Sequence, residues 1–243
     1  MIRSPMLGEF AGTLMLVLLG NGVNAGVSLK RSKAEGSGWF TITAGWAFAV
    51  LCGIFTAVLF GSTDGHINPA ITLAFAISNH DYSKLLPFLV AQVAGGFCGA
   101  VLVWLFYLPH WGITEDAEMK LGVFCTAPAI RNYPANVFCE ALATFVLVIV
   151  AGSMSSKLVL STGAAGGVGP YLVSCLVWGI GLALGGTTGY AINPARDFGP
   201  RAAHALLPIA GKGGSDWGYA WVPVVGPLIG ASLAGVVLRS LGA

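Results

Sequence analysis

The chain has 243 residues, of which 56% are apolar and only 9% charged, and its mean hydropathy is +0.79. Soluble domains carry roughly 25% charged residues, so this composition nearly excludes a soluble enzyme and indicates a protein whose solvent is the lipid bilayer. The net charge of +2 is small and the basic residues are dispersed, which argues against a nucleic acid partner.

Six apolar segments are long enough to cross a membrane as helices, since a span needs about 20 residues. In chain order they cover 6–28, 39–60, 86–108, 136–155, 168–188 and 218–238. The first contains Glu9 and lacks a cleavage motif, so we interpret it as a retained span and not as a signal peptide. The pattern predicts an all-α, multi-pass membrane protein with both termini on one side.

The basic residues give weak information about which side that is. With six spans in place, one group lies on the side of the termini and the other on the opposite side. The first group is Arg3, Lys84, Lys157 and Arg239, and the second is Lys30, Arg31, Lys33, Lys120, Arg131 and Lys212. The positive-inside rule therefore weakly favours termini outside the cell.

Two further apolar stretches, 70–77 and 195–207, are too short to cross. Each opens with the same tripeptide, formed by Asn68, Pro69 and Ala70 in one copy and by Asn193, Pro194 and Ala195 in the other. Asn is a preferred N-cap and Pro a preferred first helical residue, so a single copy predicts an ordinary helix start. Two matching copies favour re-entrant half-helices. Non-helical backbone at membrane depth needs burial or a watery cavity, which predicts a pore or a binding cavity.

The two halves of the chain resemble each other. Segment 9–13 (Glu-Phe-Ala-Gly-Thr) opens the first span, and 140–144 (Glu-Ala-Leu-Ala-Thr) opens the fourth. Each half has three spans and one short helix, and because three is odd, the second half must enter from the opposite face. We therefore expect one domain, 1–243, with inverted repeats at about 1–108 and 136–243.

This symmetry predicts that the two short helices meet at their N-termini. Asn68 and Asn193 would then lie side by side near the midplane, at the positive ends of two helix dipoles. Each Asn carbonyl can accept an N–H of its own first turn, which leaves the NH2 donors for other partners. Cations should be repelled at this point, whereas water and hydroxyl groups can accept hydrogen bonds.

The chain resembles the major intrinsic protein family, the aquaporins and glycerol facilitators, over essentially its whole length. Segments 65–70 (Gly-His-Ile-Asn-Pro-Ala) and 189–196 (Gly-Tyr-Ala-Ile-Asn-Pro-Ala-Arg) carry the resemblance. In 196–201 an aspartate follows the arginine, as in the glycerol-facilitator branch. The resemblance implies a pore in every protomer, a homotetramer in the plasma membrane and cytoplasmic termini, which overrides the charge count.

By this resemblance the narrow filter of the pore is formed by Trp46, Gly181, Tyr190 and Arg196. An ungapped count selects Phe48 in place of Trp46, but the residue order over 45–50 favours Trp46. Trp46 and Tyr190 would form an apolar corner for a carbon chain, and Arg196 would donate to its hydroxyls. Glycine at 181 stands where water-specific members carry histidine and would widen the opening. Helix packing is the alternative role of Gly181.

The resemblance also assigns supporting roles to polar residues. The backbone carbonyls expected to form an acceptor ladder belong to Asp64, Gly65, His66, Gly189, Tyr190 and Ala191. Glu9 and Glu140 are expected to accept N–H groups of the re-entrant loops, and a proton relay is the alternative. Asp197 is expected to hold loop backbone and not to pair with Arg196. The Cys and His residues lack metal-ligand spacing, so no metal is expected.

We thus predict passive diffusion of glycerol, water and similar small neutral solutes, with ions and protons excluded and no cofactor. The alternatives are a proton-coupled secondary transporter and a mainly water-selective aquaporin. An intramembrane enzyme is disfavoured, because neither half-helix adjoins a Ser/His/Asp or paired-carboxylate arrangement. The physiological solute stays open among glycerol, dihydroxyacetone, urea and lactic acid. Segment 109–134 is either an external vestibule or a solvated loop, the latter being the expected form.

Overall fold

The computed structural model describes residues 3–156, 159 and 167–242. This part of the chain is all-α, as predicted, and contains no strand. Its helices are α1 Pro5–Ser28, α2 Gly38–Phe60, α3 Pro69–Asn79, α4 Leu85–Phe106, α5 Leu108–Trp111, α6 Ala117–Phe124, α7 Tyr133–Ser155, α8 Val168–Leu184, α9 Pro194–Leu206 and α10 Val222–Leu241. Lys157, which entered the charge count, and the two ends of the predicted domain at 1–2 and 243 lie outside the described residues.

Five of the six predicted spans are helices long and apolar enough to cross a membrane, namely α1, α2, α4, α7 and α10. The sixth, α8, is apolar but has only 17 residues, about 26 Å at the rise of an α-helix. It ends at Leu184 and not at 188, since Gly185 and Gly186 begin a turn. The last span begins at Val222 and not at 218, because 217–221 form turns ahead of the Pro in the first helical turn.

The two half-helices, α3 and α9, begin where the repeated tripeptides predict. Asn68 Oδ1 accepts the N–H of Ala70 at 2.9 Å, and Asn193 Oδ1 accepts the N–H of Ala195 at 3.0 Å. A proline follows each asparagine at the first helical position, where its missing N–H costs no hydrogen bond. The same local chemistry therefore starts both helices.

Small residues let the long helices approach closely at matching places of the two halves. A methyl group at Gly95 of α4 would overlap with the carbonyl oxygen of Phe10 in α1. A methyl group at Gly230 of α10 would likewise overlap with the carbonyl oxygen of Ala141 in α7. These close contacts bring Glu9 and Glu140, one residue before each carbonyl, into the interior.

The segment between α4 and α7, called here the α5–α6 segment, is more ordered than the expected solvated loop. It forms α5 and α6, and Trp111 and Phe124 are buried against α1 and α9. Lys120 is only 2% exposed, and its ammonium donates to the carbonyl of Ala210. The sequence expectation was wrong here because these side chains are buried by contacts with distant helices, which local composition does not reveal.

Candidate functional site

The two asparagines at the half-helix starts hold the opposite loops in place. Asn68 Nδ2 donates to the carbonyl of Ile192 at 2.9 Å, and Asn193 Nδ2 donates to the carbonyl of Ile67 at 2.8 Å. The N-termini of α3 and α9 therefore meet. An amide NH2 has two donors, so each asparagine keeps one N–H beyond this exchange.

The loops that lead into the half-helices adopt backbone conformations that L-residues rarely take. Ile67 has φ +45°, Tyr190 φ +39° and Ile192 φ +43°, all in the left-handed region that disfavours bulky side chains. Such strain persists only when neighbouring groups hold the backbone. The equivalent isoleucines, one residue before each asparagine, show that both loops follow the same path.

Two buried carboxylates hold these strained loops. Glu9 accepts the N–H of His66 at 2.9 Å and that of Ile67 at 2.6 Å. Glu140 accepts the N–H of Ala191 at 2.9 Å and that of Ile192 at 2.8 Å. Each carboxylate thus lies where the loop-supporting role requires it, with two consecutive amides on its two oxygens.

Glu9 has further partners that sequence reasoning missed. The Ser62 hydroxyl donates to it at 2.6 Å, and the Gln92 amide donates to it at 2.7 Å and to Thr72 at 3.1 Å. Four donors converge on one carboxylate that is fully buried. A signal was available for Gln92, because a polar side chain inside a predicted span is by default a functional or structural candidate.

The predicted filter residues Trp46 and Arg196 lie in direct contact. The Arg196 guanidinium carbon is 4.1 Å from the centroid of the Trp46 ring, and both residues are buried. Phe48, the alternative filter residue, is 55% exposed on the outer surface of α2. Among the described residues the guanidinium forms no hydrogen bond, and its Nη1 is buried without a partner. Arg196 therefore has donors that no described protein group accepts.

Gly181 lies behind the ring of Tyr190. A Cβ atom there would be 2.9 Å from Tyr190 Cζ and 3.0 Å from Thr43 Cγ2. The Trp39 indole donates to the carbonyl of Gly181 at 3.0 Å and contacts Tyr190 edge to face, with centroids 5.8 Å apart. The missing side chain at 181 therefore makes room for the tyrosine ring.

Asp197 does not pair with Arg196. It accepts the N–H and the hydroxyl of Thr126, both at 2.7 Å, and the Arg201 Nε–H at 2.8 Å. Arg201 also donates to the carbonyls of Thr126 and Ser215. The aspartate thus holds the α5–α6 segment against α9. Sequence reasoning missed the pair of Asp197 and Arg201. The spacing of four residues could have indicated it, because residues four apart are neighbours on a helix surface.

Several of these residues line a cavity of about 700 Å³. Trp46, Tyr190, Arg196 and both capping asparagines lie on its wall, as do Asp64, Asp81 and Lys84. Aliphatic side chains, including Leu16, Val50, Ile54, Leu147 and Val177, cover much of the remaining wall. The cavity wall therefore combines polar and apolar groups.

The expected carbonyl ladder belongs to two short loops that adjoin this cavity. Asp64, Gly65 and His66 of the first loop line it, as do Tyr190 and Ala191 of the second. Over the chain segments that the structure describes, no donor is hydrogen-bonded to the carbonyl oxygens of these five residues. Gly189, also expected in the ladder, is held at φ +80° beside Thr126.

Comparison with known proteins gives one consistent result. Residues 2–238 match the family model described as Major intrinsic protein. A probable glycerol uptake facilitator protein of Thermotoga maritima is 52% identical over 233 residues, which cover 95% of this chain and 96% of that protein. Glycerol uptake facilitator protein 3 of Lactiplantibacillus plantarum is 47% identical over 247 residues, covering 99% and 100%. The X-ray structure of the aquaglyceroporin from Plasmodium falciparum superposes with a TM-score of 0.83 at 25% identity, covering 98% of this chain and 96% of that one.

Proposed function

Because this chain belongs to the major intrinsic protein family, we propose that it is a passive membrane channel for glycerol and other small uncharged polar solutes. One observation carries the proposal. The Arg196 guanidinium lies on the cavity wall, 4.1 Å from the Trp46 ring centroid, with donors that no described residue accepts. A molecule with a carbon chain on one side and hydroxyls on the other can place its chain against the rings of Trp46 and Tyr190 and its hydroxyls at the edge of the guanidinium. The names of the two facilitator relatives support the same solute.

The proposed path alternates donors and acceptors for the solute hydroxyls. Glycerol enters at a filter formed by Trp46, Gly181, Tyr190 and Arg196, where its carbon chain contacts the aromatic faces. Its hydroxyls then donate to the ladder carbonyls of Gly189, Tyr190 and Ala191. They accept the remaining N–H of each asparagine at the midplane. Beyond the midplane the carbonyls of Asp64, Gly65 and His66 repeat the ladder.

Ions and protons are excluded in this proposal, whereas water passes. A cation would lose its hydration shell beside the Arg196 guanidinium and beside two helix N-termini that carry partial positive charge. Anions meet the ladder carbonyls and aliphatic walls, which give no compensating charge. Water offers both donors and acceptors and is smaller than glycerol, so it uses the same path.

The proton-coupled alternative is disfavoured by the contacts of the two buried glutamates. Four protein donors occupy the Glu9 oxygens, and two backbone amides occupy those of Glu140. A carboxylate that takes up a proton loses acceptor capacity for such donors. We therefore assign Glu9, Glu140 and Asp197 structural roles, and we infer that the protein is not an enzyme and needs no cofactor.

The placement in the cell follows the same family. The chain is an integral, multi-pass membrane protein. We place it in the plasma membrane with cytoplasmic termini, as a homotetramer of single domains with inverted repeats 1–108 and 136–243. Phe40, Phe55 and Tyr171 are exposed apolar side chains that fit contact with lipid or with neighbouring protomers.

Reconstitution into liposomes tests the proposed function. In stopped-flow measurements we expect glycerol and water to permeate faster than through empty liposomes, with a low activation energy and no dependence on an ion gradient. Urea and lactic acid in the same preparation define the solute range. Glycerol permeability equal to that of empty liposomes would refute the proposal, and uphill solute accumulation under a pH gradient would favour the coupled transporter.

A further inference from the structure

Asn24 of α1 connects the proposed filter to α6. Its Oδ1 accepts the indole N–H of Trp46 at 3.0 Å, and its Nδ2 donates to the carbonyl of Gly122 in α6 at 3.2 Å. Asn24 is 8% exposed, and Trp46 is 3% exposed. Both polar ends of the asparagine amide are therefore used, and the contact with Trp46 is buried.

These contacts leave the Trp46 ring little freedom. The indole N–H is its single donor, and Asn24 accepts it. On α1, one helical turn earlier, a methyl group at Gly20 would overlap with the six-membered part of the same ring. The ring is thus fixed at its polar edge and packed at its apolar edge, while one face receives the Arg196 guanidinium.

We infer that Asn24 is a positioning residue for solute selection, acting through the Trp46 ring. This inference rests on the proposed channel function. If the indole N–H lost its partner, the ring would lose the contact that fixes its polar edge, and it could tilt toward another acceptor, such as a ladder carbonyl or the solute itself. The apolar corner that receives the glycerol carbon chain would then be open for only part of the time, whereas water needs no such corner.

Asn21 provides a matched control on the same helix. It is buried like Asn24, and its Nδ2 donates to the carbonyl of Phe124 in α6 at 3.3 Å. Unlike Asn24, it has no hydrogen bond to Trp46. Both asparagines tie α1 to α6, but only Asn24 also holds the filter ring.

The test compares Asn24→Leu and Asn21→Leu with the wild-type protein in proteoliposomes, with the glycerol-to-water permeability ratio as the readout. We expect Asn24→Leu to lower this ratio roughly fivefold, the effect of one hydrogen bond, and Asn21→Leu to change it less than twofold. A second variant carries benzothienylalanine in place of Trp46, which exchanges the indole N–H for sulfur and keeps the ring shape. It should lower the ratio as Asn24→Leu does, and adding Asn24→Leu to it should cause no further change.

Each outcome separates the inference from the proposed function. If the wild-type protein conducts no glycerol, the channel proposal fails. If it conducts glycerol but Asn24→Leu keeps the wild-type ratio, the positioning role is wrong. Equal losses in Asn24→Leu and Asn21→Leu would show that both act by holding α6, which also overturns the inference. Should Asn24→Leu fail to fold, the benzothienylalanine variant decides alone, because it leaves every packing contact in place.

Discussion

Asp197 and Arg201 form an ion pair across one turn of α9, with both side chains fully buried and Nε 2.8 Å from Oδ1. The pair also contacts Thr126, so it connects the half-helix to the α5–α6 segment. A buried pair of this kind is costly to break, because removal of one partner leaves an uncompensated charge away from water.

We expect Arg201→Leu to destabilise the protein by about 3–5 kcal/mol, since it leaves the Asp197 carboxylate buried and unpaired. Thermal unfolding in detergent measures this change. Arg131→Leu is the control, because Arg131 pairs with Asp216 at the exposed surface, where that hydrogen bond raises the pKa of Arg131. Its loss should cost less than about 1 kcal/mol. Equal shifts in both variants would contradict the buried-pair argument.

The two candidate aromatic filter residues can be distinguished by matched substitutions. Trp46 lies on the cavity wall, whereas Phe48 faces outward from the same helix. We expect Trp46→Ala to lower glycerol permeability relative to water roughly fivefold, corresponding to about 1 kcal/mol of lost apolar contact. Phe48→Ala should leave the ratio unchanged. If Phe48→Ala has the larger effect, the filter assignment must move to that residue.

A side chain at 181 should disturb the ring of Tyr190. We expect Gly181→Ala to reduce glycerol permeability about fivefold while sparing water. The added methyl group would overlap with the Tyr190 ring, and such overpacking costs about 1–3 kcal/mol. The ring relieves the overlap by moving into the opening. Gly181→His should have the same effect more strongly. Gly179→Ala on the same helix is the control, since a methyl group there meets no described atom within 4 Å. Unaltered selectivity in both Gly181 variants would refute the role of this position.

Glu9→Gln tests the structural role of the buried carboxylate. The new NH2 group would face protein donors, so we expect a destabilisation of about 1–3 kcal/mol, measured by thermal unfolding. Glycerol flux through the folded fraction should stay independent of an imposed pH gradient. Glu118→Gln, on the exposed side of α6, is the control for removal of a charge. A well-folded Glu9→Gln protein that loses only gradient-driven uptake would support proton coupling instead.

Local chemistry made much of the fold predictable. The apolar lengths located the spans, and the repeated Asn-Pro-Ala located both half-helix starts, because N-capping depends on neighbours in the chain. The start of α10 was missed by four residues, since residues 218–221 are uncharged and continue the apolar stretch although they form a turn. Hydropathy depends only on residue composition, so it cannot show where a turn ends and a helix begins.

Contacts between distant parts of the chain were not predictable in the same way. Asn24 meets Gly122, and Arg201 meets Thr126, across separations that no spacing rule connects. Sequence alone gave only the weaker indication that a polar residue inside an apolar span must find a partner. The identity of that partner depends on which helices pack together, and this is a property of the whole fold.

The reciprocal bonds between Asn68 and Ile192 and between Asn193 and Ile67 also constrain how the protein is made. When the first half leaves the ribosome, the carbonyl of Ile67 has no hydrogen-bond donor, because its donor is the side-chain amide of Asn193. That donor is synthesised more than a hundred residues later. The first re-entrant loop therefore completes its hydrogen bonds only after the second loop has been synthesised.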